Sequence, residues 1–178
     1  MIVNFTSFII VKFEYCTIIS EKITIMIFDA IDSKLLHLLQ TDSKQTNKAL
    51  SLQLNLSVTA VYERIRKLEK TGIVKQYVAL VDKTKVKKDF VAFCHIKLVQ
   101  HTQEYVVKFE REVIQLNEVL ECYHLSGDYD YLVKVLVKDM KAFREFMVEK
   151  LTKIDHIGST HSMFMINEVK HTTAISFQ

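Results

Sequence analysis

The apolar positions of this chain follow two rhythms in succession. Ile31, Leu35, Leu36, Leu38 and Leu39 recur at helical spacing, which predicts a first helix that begins near Asp29 and closes at about Gln40. Asp32 places a second negative charge in its first turn, where the helix dipole favours one. The polar run from Thr41 to Gln45 reads as a loop. Thr46 is then a natural N-cap for a second helix carrying Ala49, Leu50 and Leu54. Asn55 belongs to the few non-glycine residues that enter the left-handed region at low cost, and Ser57 is placed to cap a third helix starting at about Val58. In that helix Val58, Val61, Ile65 and Leu68 share one face at about 100° per residue. Three short helices around one small core, with a tight turn before the third, predict a helix-turn-helix over residues 47–66.

The opposite face of the third helix carries Thr59, Ala60, Glu63, Arg66, Lys67 and Lys70, with Tyr62 and Arg64 on the flanks. Short side chains let a helix enter a groove, and cations meet phosphates. An amphipathic surface helix with a solvated charged face would show the same stripe; the turn and the helices before it favour DNA. After Thr71-Gly72, the β-branched run from Ile73 to Val81 predicts a strand that forms a wing beside the third helix.

From Phe90 onward the rhythm becomes strand, helix, strand, strand, helix, strand. Val91 to Val99 reads as a strand, Thr102 to about Leu116 as a helix, and Val119 to Leu125 and Tyr129 to Val137 as two strands joined at Ser126-Gly127-Asp128. Asp139 caps a helix with Met140, Phe143, Phe146, Met147 and Leu151 on its apolar face, and a last strand runs from about Ser159 to Val169. This order predicts a ferredoxin-like βαββαβ domain at 90–178, and hence an α+β protein with a winged helix-turn-helix domain at 28–89. Two helices cover one side of such a sheet. Phe93, Tyr131, Val133, Val135 and Phe164 suggest an apolar remainder that a second subunit would bury.

Charge sharpens the division. Residues 29–89 hold twelve Lys/Arg against seven Asp/Glu, a net of +5, whereas 90–178 hold ten against twelve, a net of −2. Only the first part is built for phosphates, and Lys83, Lys85, Lys87 and Lys88 give it a basic linker. With only three glycines in the chain, neither a Walker loop nor a dinucleotide-binding fingerprint is present. No nucleophile accompanies Asp128 and Asp130, so no catalytic residues and no cofactor are expected. Cys94-His95 and Cys122-Tyr-His124 lack metal-ligand spacing, so no metal site is expected either. Three cysteines without a framework read as reduced thiols of a cytoplasmic protein.

The residues F-D-A-I-D-S-K-L-L-H-L-L-Q at 28–40, L-S-V-T-A-V-Y-E-R-I-R-K-L-E-K-T-G-I-V at 56–74 and C-Y-H-L-S-G-D-Y-D-Y-L-V-K-V at 122–135 together resemble the Lrp/AsnC (leucine-responsive, feast/famine) family of bacterial transcription regulators. The resemblance runs from Phe28 nearly to the C-terminus. It implies a DNA-binding helix at 58–70 with Ser57, Thr59, Ala60, Glu63, Arg64 and Lys67 nearest the duplex, to which the helix wheel adds Arg66. It also implies homodimers that assemble further, a pseudo-palindromic double-stranded DNA site, and a small amino-acid effector held near Gly127, Asp128, Tyr129 and Asp130. Met140, Met163, Phe164 and Met165 would lie by that pocket or by the assembly surface. Free amides at a glycine turn suit a carboxylate and an aspartate suits an ammonium group, although the same residues also serve simply to close a hairpin. Two further readings stand beside this one: a nucleoid-associated architectural protein with little sequence preference, and a small-molecule enzyme fused to a winged helix. Residues 1–27 lie outside the resemblance. They have neither a basic n-region nor a cleavage site, and Met26 just before the family pattern suggests that they arise from a start site assigned too far upstream.

Overall fold

The computed structural model describes residues 28–177. They divide into two compact units, one of residues 28–79 together with 172–177, the other spanning Leu80–His171. The sequence boundary at Asp89/Phe90 therefore falls inside the second unit, and the last residues pack with the first.

The first unit is helical. Helix α1, Ala30–Thr41, starts at a reciprocal capping box: the Asp32 amide donates to Asp29 Oδ1 at 2.7 Å, and the Asp29 amide donates to Asp32 Oδ2 at 3.3 Å. Such a box satisfies two donors that a helix start otherwise leaves orphaned. Helix α2, Asn47–Leu54, is capped by the Thr46 hydroxyl, which accepts from the Ala49 amide at 3.1 Å. Asn55 ends α2 in the left-handed region at φ 53° and ψ 45°. Ser57 then caps helix α3, Val58–Lys70, by accepting from the Ala60 amide. Leu35, Leu36, Leu39, Leu50, Val61 and Leu68 form the buried core. Val58, at the first position of α3, is exposed instead of joining it. Residues 73–81 form no strand. Their β-branched residues suit a ladder, but among the described residues the other regular elements of the unit are helices and offer no edge to pair with.

The second unit is a four-stranded antiparallel sheet in the order β2-β3-β1-β4, built from β1 (Phe90–Leu98), β2 (Val119–His124), β3 (Tyr131–Val137) and β4 (Ile157–Phe164). Helices α4 (Gln103–Val113) and α5 (Met140–Glu149) complete the βαββαβ order. Thr102 caps the first of them, one residue before the helix, and Asp139 caps the second as expected. The core lies between sheet and helices, where Ala92, Cys94 and Ile96 of β1 and Tyr131, Val133 and Val135 of β3 meet Phe109, Phe143 and Phe146.

That packing corrects the assignment of the open face. Cys94 pairs with Val133 and Ala92 with Val135, so Tyr131, Val133 and Val135 point toward the helices. Phe164 pairs with Ala92 and packs its ring on Phe90 and Phe143 on that same side. The other face is made by Phe93 and His95 of β1, Leu132, Lys134 and Leu136 of β3, and His161 and Met163 of β4. Of the five residues expected there, only Phe93 remains. Strand β4 also ends five residues early, at Phe164 instead of Val169, because its last rungs meet the start of β1: the Met165 amide donates to Val91 O, and no strand residue of β1 precedes Phe90.

Candidate nucleic-acid interface and effector site

Helix α3 presents Thr59, Glu63, Arg66 and Lys70 as exposed side chains, with Ser57 exposed at its cap and Ala60 half-buried beside it. Arg66 places its guanidinium 5.8 Å from the centre of the Tyr62 ring, and neither Arg66 nor Lys70 makes an ion pair among the described residues. They are available to phosphate.

Arg64 and Lys67 are placed differently. Arg64 Nη1 donates to Asp32 Oδ1 at 2.6 Å and to Asp29 Oδ2 at 2.8 Å, and Lys67 Nζ lies 3.2 Å from Asp32 Oδ2. The side chain of Asp32 is 0 % exposed. A buried carboxylate is costly unless its oxygens are filled, and here two cations and the Asp29 amide fill them. The Asp32 amide and Arg64 hold the Asp29 carboxyl below its ordinary value, and Asp29 and Asp32 raise the guanidinium of Arg64. The two cations thus link α3 to the start of α1. Sequence reading placed both nearest the DNA and did not see their partners, although Asp29 and Asp32 already stood out at the helix start.

In the second unit β2 and β3 are joined by residues 125–130, closed at the base where the Leu125 amide donates to Asp130 O at 2.8 Å. Gly127 adopts φ 135°, a conformation that disfavours side chains. The amides of Ser126, Gly127, Asp128 and Tyr129 donate to no protein acceptor among the described residues, and the Asp128 carboxylate is exposed. Asp130 is occupied: Oδ2 accepts the Leu98 amide at 2.7 Å, and Oδ1 lies 2.9 Å from His101 Nδ1. Partial burial pushes its carboxyl up, but the Leu98 amide and His101 bring it net below the ordinary value. Tyr129 meets the His95 ring edge-on at 4.9 Å. Sequence reading did not see that His95 packs on Tyr129 or that His101 meets Asp130, because each contact arises only from the strand or loop folded against it.

The other expected effector residues are not gathered here. Gly127–Asp130 precede β3, whereas Met140 follows it, about 20 Å away at roughly 3.3 Å per strand residue. Phe164 and Met165 lie beside the start of β1, at the same far end, and Met163 pairs with Phe93 between the two. Within one chain the turn lies at one end of the sheet, and Met140, Phe164 and Met165 at the other. Among the described residues no group of three or more His, Cys, Asp or Glu is arranged to hold a metal.

A helix-turn-helix followed by a ferredoxin-like α+β domain is the architecture of a DNA-binding protein with an attached second domain. Residues 28–69 match the AsnC-type helix-turn-helix domain and residues 91–175 match the Lrp/AsnC ligand binding domain. The chain is 35% identical over 150 residues to the DNA-binding transcriptional activator DecR of Escherichia coli, covering 84% of this chain and 99% of that protein. It is 33% identical over 147 residues to the leucine-responsive regulatory protein of Salmonella typhimurium, covering 83% and 90%. The crystal structure of a transcriptional regulator from Neisseria meningitidis in complex with L-Met is similar at a TM-score of 0.79 and 33% identity, covering 83% of this chain and 96% of that one. This chain belongs to the Lrp/AsnC family of transcription regulators.

Proposed function

We propose that this protein is a cytoplasmic, sequence-specific transcription regulator that binds a pseudo-palindromic DNA site as a homodimer or larger assembly, and whose DNA binding responds to a small amino acid. The observation that carries the reading is helix α3: Val61 and Leu68 are buried while Ser57, Thr59, Glu63 and Arg66 stand free on the other side. Small and polar residues there reach base edges, and Arg66 meets phosphate or guanine. The unpaired amides at 126–129 suit the carboxylate of an amino acid, and exposed Asp128 suits its ammonium group. Met140, Met163, Phe164 and Met165 belong on this reading to an assembly surface, since one chain holds them away from the turn.

Binding to genomic fragments, mapped by footprinting with and without single amino acids, tests the reading. Methionine belongs among the first candidates, because a relative at 33% identity is known as an L-Met complex. Protection of two half-sites about one helical turn apart, altered by one amino acid and not by others, is the expected result. Uniform coating of DNA with a specific-to-non-specific ratio near one would favour the architectural alternative instead. Turnover of an added amino acid would favour the enzyme.

A further inference from the structure

The recognition helix carries more cations than it can offer to DNA. Arg64, Arg66, Lys67 and Lys70 all lie on α3, yet Arg64 and Lys67 are paired with Asp29 and Asp32 at 2.6 to 3.2 Å. The restraint is graded: the Arg64 side chain is 26% exposed and makes two short bonds, whereas Lys67 is 42% exposed and makes one longer one. Asp32 cannot release both without leaving a buried carboxylate unfilled, so the cost of freeing them rises with each cation withdrawn.

We propose that Asp29 and Asp32 act as a restraint on specificity: they hold Arg64 and Lys67 back from the phosphates, so that the helix meets random DNA with two fewer cations than its sequence contains. This inference rests on α3 being the DNA-reading helix. Phosphate contacts supply most of non-specific binding and little discrimination, so withholding them lowers affinity for random DNA more than for a site whose base contacts compensate. Lys67 is the cation that a fitted site can recruit, because its bond is longer and solvent already reaches it. Arg64 and Asp32 are positioning residues, which fix α3 against the start of α1.

The test is the salt dependence of binding of the full chain to a short random-sequence duplex. Each phosphate contact steepens the plot of log affinity against log salt by about 0.9, or roughly a threefold loss over a fourfold rise in salt. Arg66→Ala tests the underlying reading and should flatten the slope by about one contact. Lys67→Gln should leave it unchanged. The Asp29→Asn, Asp32→Asn double variant should steepen it by about one to two contacts and tighten random binding, and adding Lys67→Gln to that background should remove about one contact again. If Arg66→Ala has no effect, the DNA face itself is misplaced. If Arg66→Ala behaves as expected but Lys67→Gln alone removes a full contact, or the acid variant is no steeper, the restraint is overturned. Should circular dichroism show the double variant unfolded, Asp32→Asn alone decides: Asp29 still caps α1 and holds Arg64 while Lys67 loses its one carboxylate partner, and an unsteepened slope overturns the proposal.

Discussion

A single carboxylate, Asp32, ties the start of α1 to α3, because it is buried and both of its charged partners, Arg64 and Lys67, lie on α3. Removing one partner leaves charge without compensation. Arg64→Ala should therefore destabilise the first unit by about 3 kcal/mol, near the low end for breaking a buried pair since Lys67 remains; urea denaturation followed at the helical band measures it. Asp130 makes the corresponding argument in the second unit, with a pH signature. Its folded carboxyl titrates below the ordinary 3.8, so its stabilisation is fully present above that value and is lost as pH falls through the lower folded one. Asp130→Asn should lower the melting temperature at neutral pH and flatten the fall in stability below about pH 4. An acid limb identical to that of the parent protein would remove Asp130 from the account. The caps Thr46, Ser57 and Asp139 were all legible from residue type, since a cap is a local event within three or four residues. Neither aspartate's partner was legible, because Arg64 lies 32 residues from Asp32 and Leu98 lies 32 residues from Asp130.

Elements show where pattern reading holds and where it fails. Helices α1 to α3 were legible because their apolar stripes are clean, and the turn because Asn55 and Ser57 each have one favoured use there. Asn55→Gly should be tolerated or slightly stabilising, while Asn55→Val should cost about 1 kcal/mol or more at φ 53°; thermal melts of the two variants check the sign of each. Strand β3, Tyr-Leu-Val-Lys-Val-Leu-Val, was legible as a strand but not as a set of faces. All but Lys134 are apolar, so alternation carries no mark of which parity meets the helices, and a one-residue error exchanges every side chain. The ladder with β1 supplies the missing phase. Residues 73–81 failed for another reason, since strand propensity describes a fit to neighbours and none of the described residues pairs with them as a strand. In the turn after β2, Gly127→Ala forces a side chain into φ 135° and should weaken amino-acid binding, whereas Asp128→Asn should weaken it about tenfold or more without changing the fold. Calorimetric titration of both variants with the responding amino acid separates shape from charge.

At the scale of the whole chain, the open sheet face sets the most consequential expectation. Phe93, Leu132, Leu136 and Met163 are apolar residues on one face of a sheet whose two helices cover the other. A two-fold partner brings the same patch to itself, which makes this face suited to an isologous dimer. The register of β1 with β3 and β4 reveals which apolar parity is open. Phe93→Glu places a charge opposite its own copy across the two-fold, whereas Val133→Glu would attack the core between sheet and helices and unfold the unit. Phe93→Glu should therefore keep a folded spectrum and sediment as a smaller species than the parent protein. Its affinity for an isolated half-site should be unchanged, while affinity for the full pseudo-palindromic site falls tenfold or more, because two linked helices bind the second half-site at the effective concentration that their connection sets. A variant that sediments like the parent would place the assembly contact elsewhere on the chain. If half-site binding fell equally, the substitution would have reached the DNA-binding unit itself.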